Sequence, residues 1–220
     1  MAKSEVERER KSLAGGFDSV FWRQLLGSPS PERSPPPPYY PYMSHPRSFQ
    51  PLKLVIGCLF KDAYTLESVA AVLEKKLGKA DFKLPAFSFH FSSYYEKEMG
   101  EPLWRSWIGF ESLIKPSDIS SVKKCCYEIE KKEMVEGKRQ INLDPGFLSL
   151  HNFILTSFKN FAHRIPLGKS VYGDLTLVYS EKEGFKTLPW TYPDYKTDAF
   201  LKFLSQIRKK YRIQIRNKSF

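Results

Sequence analysis

Residues 52–60 read LKLVIGCLF, an almost unbroken apolar run. Apolar residues at consecutive positions are typical of a strand that is buried on both faces, at the centre of a covered sheet. The next segment, TLESVAAVLEKKLG at residues 65–78, spaces its apolar residues as one face of a helix, with Thr65 as the expected N-cap and Gly78 just past the end. The sequence therefore predicts a central strand followed by an amphipathic helix.

Two more strands, a second helix and a fourth strand follow this pair. Residues 82–91 (FKLPAFSFHF) alternate between two faces, and Pro85 removes a ladder donor, which favours an edge strand. The others are a strand at 103–114 (LWRSWIGFESLI), a helix at 117–134 (SDISSVKKCCYEIEKKEM) and a strand at 139–143 (RQINL). The order β-α-β-β-α-β predicts a ferredoxin-like core, in which the first and third strands are central and the second and fourth lie at the edges.

The remaining residues predict an extension that covers the open face of this core. Residues 146–158 (GFLSLHNFILTSF) form a very apolar segment that we assign to a helix, and residues 170–188 contain a hairpin pattern. Behind Thr197, a helix cap, the apolar residues return at helical spacing. The predicted fold class is α+β, a ferredoxin-like βαββαβ core with a C-terminal helix-hairpin-helix extension covering the sheet.

The composition changes near residue 50 and divides the chain. Residues 1–50 contain the run PSPERSPPPPYYPY and few apolar residues, so we expect a disordered Pro-rich extension. The proline run is also typical of a ligand for an aromatic groove. Because Met43 is a natural start for the folded part, residues 1–42 are also open to interpretation as an over-extended gene prediction. Residues 51–220 are expected to form a single α+β domain.

The charge and the cysteines limit the functional classes. Lys and Arg number 35 against 24 Asp and Glu, a formal net charge of +11, which favours anionic partners without naming one. The three cysteines form no CxxC pair and have no neighbouring His pair, so neither a disulfide framework nor a metal site is predicted. No apolar run approaches the roughly 18 residues that a membrane span needs, and no signal peptide is recognisable. We expect a cytoplasmic protein that is not in a membrane.

Several segments resemble a known family. They are KLVIGCLF, YYEKEMG followed by GFESLI, INLDPGFLSL, SFKNFAHRIPLG and LPWTYPDY. Together they are similar to a family of uncharacterised bacterial proteins catalogued as a domain of unknown function, over about residues 52–212. The resemblance implies a bacterial origin and no particular activity.

Some members of that family carry the label GTP-binding protein, which the residues do not support. A P-loop GTPase needs GxxxxGK[ST] between a strand and a helix, because backbone N–H groups and the lysine surround the phosphates. The nearest glycine–lysine pair, LGKS at 167–170, lacks the upstream glycine and precedes a predicted hairpin.

Asp144, in INLDPGFLSL, has two competing interpretations. Asp followed by Pro145 and Gly146 is what a helix start requires, with the carboxylate as N-cap and proline at the first helical position. Alternatively, Asp144 faces a cleft as a metal ligand or base, and the amides of Gly146 and Phe147 are free to meet a phosphate.

Two further groups of residues are candidates for binding. Lys159, His163 and Arg164 lie within one short segment and form the donor set that a phosphate or carboxylate ligand would use; the alternative is a solvated surface. A second group, the aromatic strap, consists of Trp190, Tyr192 and Tyr195 within LPWTYPDY. It is expected either to pack beneath the last helix or to stack on a base or ring.

These candidates lead to three functional hypotheses. The first is a protein that binds a phosphorylated or nucleotide-like ligand near Asp144, Lys159, His163 and Arg164. The second is an RNA-binding module that uses the strap and the basic segment KKYRIQIRNK. The third is a structural or interaction protein without a ligand. The sequence leaves open the identity of the ligand or cofactor, whether the protein is an enzyme, and its oligomeric state.

Overall fold

The computed structural model describes residues 48–217, so the extension predicted for residues 1–50 lies almost wholly outside the described residues. Within the described range, the strands form one antiparallel sheet and the α-helices connect or follow some of them. The strands are β1 (Leu52–Phe60), β2 (Ala80–Ser88), β3 (Trp104–Ile114), β4 (Ile141–Leu148), β5 (Asn152–Ser157), β6 (Arg164–Gly168), β7 (Val171–Ser180) and β8 (Gly184–Thr187). The helices are α1 (Ala63–Leu77), α2 (Glu96–Met99), α3 (Ile119–Lys132) and α4 (Asp198–Arg216). No helix between residues 48 and 217 is long and apolar enough to cross a membrane.

Strand β1 lies at the centre of the sheet and is buried along nearly its whole length. Its neighbours are β3 and β4, both antiparallel to it. Leu54, Ile56 and Cys58 face a core built with α1 and α3. Val55 points to the opposite face, into a core built with α4. The predicted strand, covered on both faces, is confirmed.

The strand order is β2-β3-β1-β4-β5-β7-β6, and β8 pairs with β7. Strand β2, which carries Pro85, lies at the end of this order as expected. The fourth strand was expected at the other edge, and this prediction is wrong because β5 pairs with β4 and extends the sheet. The C-terminal part therefore adds four strands to the sheet, and α4 covers it.

Helix α1 begins one turn earlier than expected. Its N-cap is Asp62, whose carboxylate accepts from the Thr65 amide (2.9 Å) and the Thr65 hydroxyl (2.7 Å). Thr65 therefore supports the cap from inside the helix. Gly78 ends the helix at φ 97°, as predicted. The predicted Thr197 cap of α4 is also confirmed, since its side chain accepts from the Phe200 amide.

The helix predicted for residues 146–158 is wrong, because the chain forms β4, a turn and β5 there. Short apolar runs fit a buried strand as well as a buried helix. The Asp-Pro-Gly sequence, which resembles a helix start, lies inside β4. Pro145 is tolerated because the β4–β5 ladder begins only at Gly146. The turn after β4 is held by the Ser149 hydroxyl, which accepts from the amides of His151 and Asn152.

Gly146 is required in β4 by the packing of β5. A Cβ at this position would lie 2.2 Å from Cζ of Phe153 and 2.7 Å from its Cε2. Phe153 is fully buried in the core beneath α4. The ring therefore occupies the volume that a side chain at residue 146 would need.

Replacing Gly146 by alanine tests this strand. Because the added methyl group overlaps Phe153, we expect the Gly146→Ala free energy of unfolding in urea to fall by about 1–3 kcal/mol. In a helix the same change would raise stability by up to about 1 kcal/mol. Gly173→Ala is the matched control, since the three atoms nearest to its Cβ would all belong to the flexible Leu167 side chain, at 3.1 Å or more. A Gly146→Ala protein more stable than wild type would contradict the strand assignment.

Candidate functional site

A cavity of about 680 Å³ opens where β4 and β5 separate. The ladder between the two strands covers only the pairs from Gly146↔Leu155 to Leu148↔Phe153. Before Gly146 the strands diverge, with Asn142 and Asp144 on one wall and Thr156 on the other. The cavity is therefore a consequence of incomplete pairing inside the sheet.

Side chains satisfy the backbone groups that this separation leaves without a ladder partner. Glu130 of α3 accepts from the Leu143 amide (2.6 Å), and Lys123 of the same helix donates to the Leu143 carbonyl (3.0 Å). The Thr156 hydroxyl donates to the Pro145 carbonyl (2.9 Å). Since buried backbone groups need partners, these contacts allow the strands to stay apart.

Arg105 of β3 lies at the floor of the cavity and is 3% exposed. Its Nη1 donates to Asp144 Oδ2 (3.0 Å), its Nη2 donates to the Tyr195 hydroxyl (2.7 Å), and its Nε lies 2.9 Å from Asp194 Oδ2. Gly57 of β1 makes room for this cluster, because a Cβ there would lie 2.5 Å from the Tyr195 hydroxyl and 2.9 Å from Nη2. One guanidinium thus joins β3, β4 and the segment before α4.

The two carboxylates on Arg105 have pKa values shifted in opposite directions. Burial opposes the charged form of Asp144, yet the charges of Arg105 and Lys123 outweigh burial and lower its pKa below the usual 3.8. For Asp194, burial prevails over the attraction of Arg105 and raises the pKa. Asp144 is therefore ionised at neutral pH, and its side chain is 26% exposed.

The structure decides between the interpretations of Asp144. It lies inside β4 opposite Gly57, and its carboxylate pairs with Arg105. The interpretation as a helix N-cap is wrong, because no helix follows it. The amides of Gly146 and Phe147 belong to a paired strand, so no helix N-terminus is available there to bind a phosphate. Of the second interpretation, one part agrees with the structure: the Asp144 carboxylate lines a cavity.

A second ion-pair network holds Asn142 in the wall of the cavity. Arg139 makes a bidentate contact with Glu98 through Nε and Nη2, each at 2.6 Å, and its Nη1 donates to Asn142 Oδ1 at 2.6 Å. Asn142 is 5% exposed. Its Nδ2 has no hydrogen-bond partner among the residues that the structure describes.

The Arg164 and His163 side chains meet at Asp174 of β7, a buried residue that the sequence did not single out. Arg164 Nε donates to Asp174 Oδ2 (2.9 Å), and His163 Nε2 lies 3.1 Å from the same oxygen. Arg164 also donates to the Tyr192 hydroxyl (2.7 Å) and lines the cavity. His163 instead stacks on Trp190 beside the cavity, with ring centroids 4.9 Å apart. Asp174 therefore already contacts two of the three predicted donors, and of these two only Arg164 lines the cavity.

Lys159 lies at the mouth of the cavity and is exposed. Its ammonium group contacts the Tyr94 hydroxyl and lies 4.6 Å from the centre of that ring. Asp144 of β4 thus lines the same cavity as Lys159 and Arg164, which come from a later segment of the chain.

The aromatic strap is divided between packing and the cavity. Tyr195 is fully buried against Phe200 of α4, with only its hydroxyl end at Arg105. Tyr192 is half exposed and lines the cavity. Trp190 donates its indole N–H to the Leu175 carbonyl (2.8 Å) outside the cavity. Tyr195 therefore packs beneath the last helix, and stacking of the strap on a base or ring stays a prediction.

Other aromatic rings form much of the cavity wall. They come from the loop after β2, from α3 and from the segment after β5, and are Phe89, Phe91, Tyr94, Tyr95, Tyr127 and Phe158. No group of three or more His, Cys, Asp or Glu side chains able to hold a metal ion occurs among the described residues. The cavity is therefore aromatic, with charged pairs at its floor.

Sequence reasoning missed the partners that organise the cavity. Arg105 and Asp174 are charged residues within apolar strands, and Lys123 and Glu130 lie in α3 among apolar positions. A charge at an inward-facing position of a strand or helix is unusual unless it is paired. That signal could have identified these residues without indicating which pairs form.

A family model described as a domain of unknown function (DUF4416) matches residues 50–211, more than half of the chain. The chain belongs to this family. The resemblance identified from the sequence motifs, expected over about residues 52–212, is confirmed. Neither the curated proteins nor the solved structures contain a match to the chain.

The lowered pKa of Asp144 gives a test of the Arg105 cluster of this DUF4416 domain. The ionised carboxylate stabilises the fold above the pKa of 3.8, and the stabilisation is lost as the pH falls through the lower folded pKa. At pH 7 we expect Asp144→Asn to lower the free energy of unfolding in urea by about 1–3 kcal/mol. At pH about 3 the difference from wild type should shrink, since the Asp144 carboxylate of the unfolded chain is then mostly protonated and must lose that proton on folding.

Asp118→Asn serves as the control, because Asp118 is an exposed aspartate whose carboxylate forms no ion pair within the described range. Its effect should be small at both pH values. An Asp144→Asn deficit that is unchanged between neutral and acid pH would show that the charge of Asp144 does not stabilise the fold.

Proposed function

We propose that this domain binds a nucleotide-like small molecule in the cavity between β4 and β5. The observation that carries the proposal is the cavity itself, which is concave, about 680 Å³ in volume, largely aromatic, and supplied with a few fixed polar groups at its floor. These are the features of small-molecule sites in proteins. A flat basic surface, which an RNA-binding module would present, is a different arrangement.

The aromatic walls suit a planar ring. Tyr95 and Tyr192 present aromatic surface inside the cavity, and Phe91 and Tyr127 contribute further rings near its mouth. Stacking between a heterocycle and aromatic side chains is typically worth about 1–3 kcal/mol for each base. Burial of the ring between these walls would therefore supply much of the affinity.

The charges inside the cavity favour a position near its mouth for the phosphate group of the proposed ligand. The guanidinium groups of Arg105, Arg139 and Arg164 already face carboxylates of the same cavity. Lys159 and Lys131 lie at the exposed margin, where Lys131 has only a surface pair with Glu128 at 3.7 Å. A phosphate would meet these ammonium groups without displacing a buried ion pair.

We also propose a ferredoxin-like core for residues 52–148 and a cytoplasmic location. The order β2-β3-β1-β4 with antiparallel neighbours, together with α1 and α3 on one face, supports the core. The three unpaired cysteines, Cys58, Cys125 and Cys126, fit a reducing compartment.

RNA binding is a second candidate, supported by the basic side of α4. Arg212 and Arg216 are exposed and, with the buried Arg208, line a recess of about 390 Å³ that shares no residue with the main cavity. Arginines at this spacing can contact successive phosphates. The third hypothesis, an interaction protein without a ligand, corresponds to a negative result with both kinds of partner.

A thermal-shift screen of nucleotides, phosphosugars and divalent ions tests the ligand proposal. Since a ligand that binds only the folded state stabilises it by mass action, we expect at least one nucleotide to raise the wild-type midpoint by several degrees. Lys159→Ala should weaken binding of the nucleotide more than of its nucleoside, because the lysine contacts the phosphate. Asp144→Asn should weaken both.

Lys182→Ala is the control for the loss of a surface lysine, because Lys182 is exposed in the turn between β7 and β8 and does not line the cavity. It should leave the shift unchanged. A wild-type screen without any shift would remove the ligand proposal.

A filter-binding titration with single-stranded RNA tests the second candidate. If α4 contacts phosphates, binding should weaken steeply with salt, because neutralised phosphates release counterions. The double variant Arg212→Ala/Arg216→Ala should bind less and show a salt slope lower by about 2. No retention of RNA at low salt would exclude this function.

A further inference from the structure

The Arg164 side chain donates hydrogen bonds to four oxygen atoms of the chain itself. Its Nε donates to Asp174 Oδ2 (2.9 Å), and its Nη2 donates to the Tyr192 hydroxyl (2.7 Å). Its Nη1 donates to the Lys159 carbonyl (2.9 Å) and to Ser157 Oγ (3.3 Å). Since a guanidinium has five N–H groups, these contacts occupy most of its capacity. A ligand in the cavity therefore meets mainly the hydroxyl groups that Arg164 contacts.

These contacts determine the direction of two hydroxyl protons. A guanidinium has no acceptor, so the Tyr192 oxygen must accept from Arg164, and its own O–H is left to donate elsewhere. Ser157 Oγ accepts from Arg164 and from the Lys159 amide (3.0 Å), so its proton is directed away from both. Neither hydroxyl donates to an acceptor within residues 48–217. Both residues line the cavity, where Tyr192 is 43% exposed.

Lys159 adds a positive charge to these two donors. Its ammonium group contacts the Tyr94 hydroxyl, its only hydrogen-bond partner in the described range, and is otherwise open to the mouth of the cavity. The carboxylate of Asp174 is 2% exposed and meets Nε of Arg164, whereas the hydroxyls meet the terminal nitrogens. The charge of Asp174 is thus balanced by Arg164, and that of Lys159 remains for a ligand.

We infer that Ser157, Lys159 and Tyr192 bind the phosphoryl group of the ligand as a set of donors without an acceptor. This inference rests on the proposed function, and it specifies the ligand group as an oxyanion that carries no proton, such as a phosphate dianion or a sulfate. A phosphate ester offers three strong acceptor oxygens, which suit several separate donors. A hydroxyl that accepts from a cation is also polarised and becomes a stronger donor itself.

Isothermal titration calorimetry of the full chain at pH about 7.5, with the common ribonucleosides and their 5′-monophosphates, tests the inference. Because several charge-assisted hydrogen bonds form, we expect a monophosphate to bind at least about thirtyfold more tightly than its nucleoside. Tyr192→Phe retains the ring and removes the donor, so it should weaken monophosphate binding about tenfold and leave nucleoside binding unchanged. Ser157→Ala should act in the same direction. Tyr127→Phe is the matched control, since Tyr127 lines the same cavity but its hydroxyl forms no hydrogen bond within the described range.

Competition by inorganic anions tests the absence of an acceptor. Sulfate carries no proton at this pH, so it should displace the monophosphate at concentrations within about threefold of those of inorganic phosphate. Displacement by phosphate but not by sulfate would overturn the inference, and so would equal losses of nucleoside and monophosphate affinity in Tyr192→Phe. Nucleosides that bind as tightly as their monophosphates would overturn the inference while leaving the proposed function intact. Absence of binding by all of these nucleosides and nucleotides would overturn both.

Discussion

The buried guanidinium of Arg105 is the constraint on which the site depends. A charge removed from water must be paired, and removing one partner of a buried pair typically costs about 3–5 kcal/mol. Arg105 lies on β3, and its partners Asp144 and Asp194 come from β4 and from the segment before α4. Gly57 of the central strand leaves the space in which they meet. The same contact therefore holds the sheet to its covering helix and fixes the floor of the cavity.

The cavity exists because strands β4 and β5 of this sheet are only partly paired. Strands β4 and β5 pair over three residues and then diverge, which would normally expose backbone groups. Glu130 and Lys123 satisfy both backbone groups of Leu143, and Thr156 satisfies the carbonyl of Pro145. Since Pro145 has no N–H to lose, the sequence places proline where the ladder stops. The Asp-Pro-Gly sequence, which resembles a helix start, is thus the part of β4 at which the ladder with β5 ends and the cavity begins.

The sequence predicted the elements whose signal is local. β1 and α4 have apolar patterns of clear length and period, and both were identified. The helix predicted for residues 146–158 is wrong because the apolar runs there are short. The choice between strand and helix depended on Phe153 packing over Gly146, a contact made only in the folded chain. The prediction of cavity residues depended on the same difference between local signals and contacts made only in the folded chain. Lys159 and Arg164 were identified from their local clustering, whereas Arg105 and Asp174 acquire their roles through partners distant in sequence.

The charge of the whole chain is a poor guide to the chemistry of its cavity. The net charge is +11, but six basic and five acidic side chains line the cavity: Arg105, Lys123, Lys131, Arg139, Lys159 and Arg164 against Glu98, Glu130, Asp144, Asp174 and Asp194. With its interior charges matched in this way, the cavity has little surplus potential for an anion, so a ligand of the proposed kind would gain most of its affinity from burial of its ring against the aromatic walls.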